Sequence, residues 1–337
     1  MKKRHRILPN ILLIAAPLIC IFITLFVGRY TIDPQTVLQT LLYKFGLISG
    51  NGLTNEDMAV VWQLRLPRAV LGAAVGASLA ASGAAFQGVF RNPLVNAGIL
   101  GVSNGAGFGA ALAILLFSSL AYTYSFAFIF GALAVFLSYM IGRIYNTTPT
   151  VMLILGGVIV SAFFSALISI IKYVADPYNQ LPAIVFWLMG SLASVGQQQF
   201  FALIPMGIGL MIIYSVRWRI NVLSMGDKEA TALGVNVSRN KLLVITGATM
   251  ATAGAVCVSG VIGWVGLVIP HIGRMLVGNN NRLLIPVSIS LGACFVVLMD
   301  MIARNLTGSE IPLGILTSLI GAPFFVYLLK KTKGGGW

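Results

Sequence analysis

Charge is what this sequence has least of. Only 9% of its 337 residues are charged, with 22 lysines and arginines against 8 aspartates and glutamates. Histidine occurs twice, at His5 and His271, and cysteine three times, at Cys20, Cys257 and Cys294. Each scarcity excludes a chemistry. Without H-E-x-x-H or a second histidine nearby, neither a zinc protease nor a serine–histidine site has its material. The cysteines sit in apolar runs without metal-ligand spacing and read as packing residues. No G-x-x-x-x-G-K-[ST] occurs, so the chain has no P-loop to cradle ATP phosphates. No catalytic, metal or cofactor site is expected in it.

Hydrophobicity takes the place of charge. The chain is 58% hydrophobic, with 37 glycines and a mean hydropathy of +0.93. Apolar runs of roughly 20 residues, the length of a membrane span, recur from residue 11 to 329 with no long polar linker. This composition predicts an all-α polytopic membrane protein, one domain over 1–337. Ten spans are expected, at 11–27, 64–86, 95–117, 122–143, 151–172, 198–216, 241–259, 263–277, 283–304 and 312–329. The eighth is short. LPAIVFWLMGS, within the loop at 173–197, reads as a re-entrant or interfacial helix. MKKRHR followed by ILLIAAPLICIFITLFV resembles a signal peptide, but so many later spans make it an uncleaved first span.

The net charge of +14 raises nucleic acid as a partner. Its placement excludes that reading, because the basic residues lie at the ends of apolar runs. With the N-terminus in the cytoplasm, inside segments carry 16 lysines and arginines and outside segments 6. Both termini are then cytoplasmic, and so is the polar stretch LSMGDKEATALGVNVSRNK at 223–241. A GA-rich pattern at 65–90 returns at 239–267, entering from the opposite side. An inverted transporter repeat and plain close helix packing both account for it.

Ion-coupled carriers keep carboxylates at membrane depth. Here only Asp300 approaches that, and Arg304, four residues on, makes a structural ion pair the simpler reading. Glu310, with Ser309 and Pro312, reads as a helix start. His271 reads as a packing or dipole contact at a helix end. The chain offers a passage without a power source.

The polar insert fits that deficit. Asp227 to Leu233 can form two helical turns, closed by Gly234 in a left-handed C-cap, with Ser238 capping the next helix. So short a helix is marginal in water unless it packs on something. Ala230, Leu233 and Val237 offer a small apolar face, rimmed by Asp227, Lys228 and Glu229. The pattern suggests docking to a motor subunit; a merely solvated loop is the alternative.

Six ordered blocks now carry a resemblance that covers nearly the whole chain. They are QLRLPRAVLGAAVGASLAASGAAFQGVFRNPL (63–94), LGVSNGAG (100–107), FWLMGS (186–191), the G-[DE]-x-x-A-x-x-L-G-V pattern of the insert, GWVGLVIPHIGR (263–274) and EIPLGILTSLIGAPFFVYLL (310–329). The chain resembles permease subunits of type II ABC importers, the metal-chelate group of cobalamin, ferric siderophore and haem permeases. The resemblance implies ten helices per subunit in that permease fold and a homodimer in the bacterial inner membrane. It implies two ATPase subunits that bind the ATP and magnesium, and a periplasmic binding protein above. The insert, about 223–240, becomes the coupling helix region, with Gly226, Asp227, Glu229, Ala230, Leu233, Gly234 and Val235 meeting the ATPase. Arg65, Arg68 and Arg304 become outward arginines meeting the binding protein. Thr147, Thr148 and Thr150 become the cytoplasmic gate. In full length the chain looks most like the molybdate/tungstate permease of the group. Ferric siderophore, haem and cobalamin are the alternative cargoes, and an ion-coupled carrier is the remote one.

Overall fold

In a lipid core a backbone has no water to bond, so apolar runs of this length fold as helices that satisfy themselves. The structure, a computed structural model, describes residues 4–50, 52–117, 119–143 and 148–331, with side chains placed except at 4–10, 328, 329 and 331. Helix α1 spans Arg4–Phe26 and α2 Pro34–Lys44. Helix α3, Asn55–Ala59, runs through a π-helical turn at Val60–Arg65 into α4, Leu66–Phe90. There follow α5 (Val102–Phe117), α6 (Leu120–Gly142), α7 (Thr150–Val174) and α8 (Gln180–Leu188). A 3₁₀ turn, Gln197–Ala202, leads into α9, Leu203–Leu223. The chain continues with α10 (Asp227–Ala232), α11 (Val237–Ser259), α12 (Val265–Val277), α13 (Asn281–Asn305) and α14 (Leu313–Lys331).

Each expected span has its helix. They are α1, α4 to α7, α9 and α11 to α14, and the protein is an all-helical bundle of membrane-spanning type. Six of the helical stretches are long and apolar enough to cross a bilayer, and four shorter apolar helices complete the set. The third span starts later than its apolar run suggests. Residues 91–101 are instead folded into turns, with Arg91 left-handed at φ 50°. Asn92 and Asn96 accept there from the backbone of Leu94 and Gly98 at 2.9 Å each, the local bonds by which asparagine competes with helix. Helix α8, in the expected re-entrant piece, has nine residues. At about 1.5 Å per residue it is too short to cross the bilayer.

Helix α4 is the axis of the bundle, packing on α9, α11, α12 and α13. Glycine makes that possible. A β-carbon on Gly76 would stand 2.0 Å from the Gly292 carbonyl oxygen of α13, and one on Gly83 2.1 Å from that of Gly266 in α12. The two GA-rich stretches form α4 and α11, the most buried of the long spans, at 89% and 78% of their apolar windows. They pack on one another, with Ser82 Oγ donating to the Ala248 carbonyl at 3.3 Å. Close packing therefore accounts for the recurring small residues. At the other extreme, α7 stays peripheral and exposes Val151, Leu155, Ile159 and Phe163.

Candidate functional site

The polar insert builds one end of the bundle. Gly226 turns the chain at φ +134°, and α10 follows with Asp227 and Glu229 in its first turn, the favourable place for negative charge on a helix dipole. Gly234, at φ +76°, closes it as expected. Val235 N–H donates to the Ala230 carbonyl at 3.0 Å and Gly234 N–H to that of Thr231 at 2.9 Å, the paired bonds of a Schellman cap. The next helix is capped by Asn236, whose side chain accepts from Arg239 N–H at 2.9 Å; Ser238, the expected cap, lies inside α11. Asn236 begins non-helical and is free to reach forward, whereas Ser238 already has a helical backbone.

A six-residue helix persists here because it packs against α9 and α11. Ala230 is fully buried among Leu223, Val244 and their neighbours. Of the apolar face expected from Ala230, Leu233 and Val237, Ala230 is turned into the bundle while Leu233 is 60% exposed, and Met225, just ahead of the helix, is 59% exposed. Leu233 ends α10 where the chain turns outward at Gly234, so the helix presents an apolar knob to whatever lies beyond. Alongside is a cavity of about 240 Å³ lined by Arg91, Asn92, Ser224, Arg274, Asn279 and Asn281.

Behind α10 lies one of the basic residues that the topology assigns to the inside segments. Lys241, in the first turns of α11, is wholly buried. Its Nζ donates to Asp227 Oδ2 at 2.7 Å, the Thr148 carbonyl at 2.9 Å and Thr150 Oγ1 at 3.3 Å. Two of the three expected gate threonines thus stand at the start of α7, in contact with the insert's own ion pair. Thr147 lies outside the described residues.

At the opposite end the three expected docking arginines close an internal clasp. Arg68 grips Asp300 through Nε and Nη2 at 2.8–3.1 Å. It also grips Glu310 through Nη1 at 3.0 Å and Nη2 at 2.8 Å. Arg304 lies 3.3 Å from Asp300, as its i+4 spacing predicts, and donates to Thr24 Oγ1 at 2.6 Å. Arg65 donates to the Leu25 carbonyl at 2.7 Å and to that of Tyr30. Arg65 and Arg304 are only 5% and 8% exposed. A free outward basic surface is therefore not what these side chains form. They bind the ends of α1, α4 and α13 to the approach to α14, because a charge taken out of water must be paired and hydrogen-bonded.

Glu310 stands just ahead of α14, which starts at Leu313 as the helix-start reading expects, with the Pro312 carbonyl accepting from Leu316 N–H at 3.3 Å; its carboxylate is held by Arg68. Burial by itself would raise that carboxyl, but the Arg68 hydrogen bonds and charge hold it below the usual carboxylate range. Removing the hub of the clasp should be costly. Arg68→Leu is expected to destabilise the protein by about 3–5 kcal/mol, the usual result of breaking a buried ion pair from one side. Glu310→Gln, at a more exposed group, should cost about 1 kcal/mol or less. Thermal unfolding of the purified protein in detergent checks the order, and equal midpoints would contradict it.

The FWLMGS block at 186–191 also has a physical role that its sequence did not reveal. Ser191 N–H donates to the Ser259 carbonyl at 2.7 Å. In turn the carbonyls of Gly190 and Met189 accept from Leu313 N–H at 2.8 Å and Gly314 N–H at 3.0 Å. The piece after α8 thus laces the end of α11 to the start of α14. Nearby, a cavity of about 430 Å³ is lined by neutral polar and aromatic groups including Thr123, Tyr124, Gln180, Trp187 and Ser194. His271 is 4% exposed and stands edge-on to Phe325.

Comparison with known proteins places this architecture. Residues 14–331 match the model of the FecCD transport family. The chain is 42% identical to the molybdate import system permease protein MolB of Haemophilus influenzae over 317 residues, 93% of each chain. It is also 42% identical to the cobalamin import system permease protein BtuC of Halobacterium salinarum, over 84% of this chain and 76% of that one. A solved ABC transporter of metal-chelate type, in an inward-facing conformation, superposes with a TM-score of 0.84 at 41% identity, covering 96% of this chain and 99% of its own. The chain belongs to the FecCD transport family, and it is a multi-pass permease subunit of an ABC importer.

Proposed function

We propose that two copies of this chain form the translocation pathway of an ATP-driven importer in a bacterial inner membrane, with molybdate or tungstate as the cargo. Both termini and α10 face the cytoplasm, where two ATPase subunits bind ATP and magnesium. A periplasmic binding protein delivers cargo at the clasp end, where Arg65, Arg68 and Arg304 shape the surface it meets through the loops they hold. The pathway runs between the subunits along α7 and α14, with Thr147, Thr148 and Thr150 at its cytoplasmic mouth.

The observation that carries this reading is α10. A six-residue helix is fixed by a Schellman cap and by buried Ala230, yet it leaves Leu233 60% exposed. That is the form of a docking element. Asp300, the one carboxylate among the described residues of the ten expected spans' helices, is held between Arg68 and Arg304, which disfavours an ion-coupled carrier. The match to the molybdate permease over 93% of both chains favours an oxyanion. An equal identity to a cobalamin permease, and likeness to permeases named for iron chelatin, iron(3+)-hydroxamate and hemin, keep cobalamin, ferric siderophores and haem as the competing cargoes. Titration calorimetry on the cognate binding protein tests the cargo. Capture of molybdate or tungstate is expected, and capture of an iron chelate, haem or cobalamin instead would overturn the oxyanion.

A further inference from the structure

Lys241 is the most deeply buried cation of the α10 end, and all three of its protons are spoken for. One goes to Asp227, the first residue of α10; the other two go to the Thr148 carbonyl and the Thr150 hydroxyl at the start of α7. The helix that carries the exposed knob is therefore fastened to the start of a peripheral helix through a single ammonium.

Helix stability by itself does not favour this arrangement. The N-terminus of α7 carries the positive end of a helix dipole, where an anion would help and a cation does not. Pro149, at the N-cap, has no side-chain acceptor, and no side-chain cap bond is made there. Burying an ammonium is costly unless a carboxylate answers it, and Asp227 is that carboxylate, itself 44% exposed on its side chain. The partly exposed anion belongs to α10, the buried cation to α11 and the neutral acceptors to α7. Three elements meet at one nitrogen.

We infer that Lys241 is a positioning residue for transport, the link through which a displacement of α10 reaches the cytoplasmic end of α7. When the motor moves α10, Asp227 carries the ammonium with it, and the ammonium carries Thr148 and Thr150. This rests on the reading of α10 as the ATPase-docking helix and of α7 as a wall of the pathway. It adds a named route between them.

The test uses the full transporter in proteoliposomes, permease, ATPase and binding protein together, and reads cargo moved per ATP hydrolysed. With unassembled ATPase removed before reconstitution, that ratio does not depend on how much complex assembles. Lys241→Met keeps the side chain's length and removes the charge, and is expected to lower the ratio by about ten-fold or more, within the range of coupling between distinct sites. Asp227→Asn, which leaves the lysine in place, should lower it in the same direction. Lys241→Arg keeps the cation and should restore it to within about three-fold of wild type. An unchanged ratio in both neutralised variants, or an arginine variant no better than methionine, overturns the link. A wild-type complex that fails to couple ATP to uptake would instead overturn the functional reading beneath it.

Discussion

Leu233→Asp is expected to leave a folded, membrane-inserted permease that holds its ATPase far more weakly. Leu233 contributes its backbone, and not its side chain, to the end of α10: its N–H donates to the Glu229 carbonyl at 3.0 Å. The side chain points away, 60% exposed, so an aspartate meets water in the free permease and costs the fold little. In the complex it would face an apolar seat. Interface anchors of this kind are worth about 2 kcal/mol or more, so affinity should fall by roughly 30-fold or more. Ala230→Asp gives the opposite pattern, because Ala230 is fully buried beneath the helix and a carboxylate there destabilises the permease itself. Titrating purified ATPase against each variant in detergent, with thermal unfolding alongside, separates the two. Wild-type affinity in Leu233→Asp would sink the docking reading.

Gly76→Leu prevents the bundle from closing. A single β-carbon at Gly76 already meets the Gly292 carbonyl oxygen at 2.0 Å, and the reverse approach, from Gly292 to the Gly76 carbonyl, is 2.4 Å. The obstacle is backbone on both sides, so no rotamer change relieves it. Helices α4 and α13 must separate, and α4 also contacts α9, α11 and α12. Ordinary overpacking costs about 1–3 kcal/mol, and this site should exceed that. The expected result is little or no monodisperse protein after solubilisation. Gly207→Leu is the control, because a β-carbon on Gly207 has nothing within 4 Å. Equal yields of the two variants would contradict the packing account.

Much of this architecture was legible before any coordinates. Apolar run length located all ten spanning helices, because a lipid core forbids unpaired backbone and leaves little choice. The glycine after the DKEATAL segment announced its C-cap, since a left-handed position favours glycine. Other features depended on tertiary partners that no local pattern names. The LPR arginine, Arg68, could have been an outward ligand or an internal hub, and only Asp300 and Glu310, more than 230 residues away, decide. Lys241 was the larger surprise. In sequence it is one more basic residue beside a polar loop, and its partners, Asp227 of α10 and Thr148 and Thr150 at the start of α7, come from other elements. Helix α2 was missed despite a visible signal, the Asp33–Pro34 pair, in which Asp33 accepts from Gln35 N–H at 2.8 Å. Beyond that pair, a charge-poor, half-apolar segment outside the long runs carries little that marks it as a helix.

The most direct measurement is cargo uptake by the purified permease, ATPase and binding protein reconstituted in liposomes, driven either by enclosed ATP or by an imposed proton or sodium gradient. Uptake is expected only with ATP and all three components present. Accumulation by the permease alone under an ion gradient, without ATP, would contradict the account at its centre.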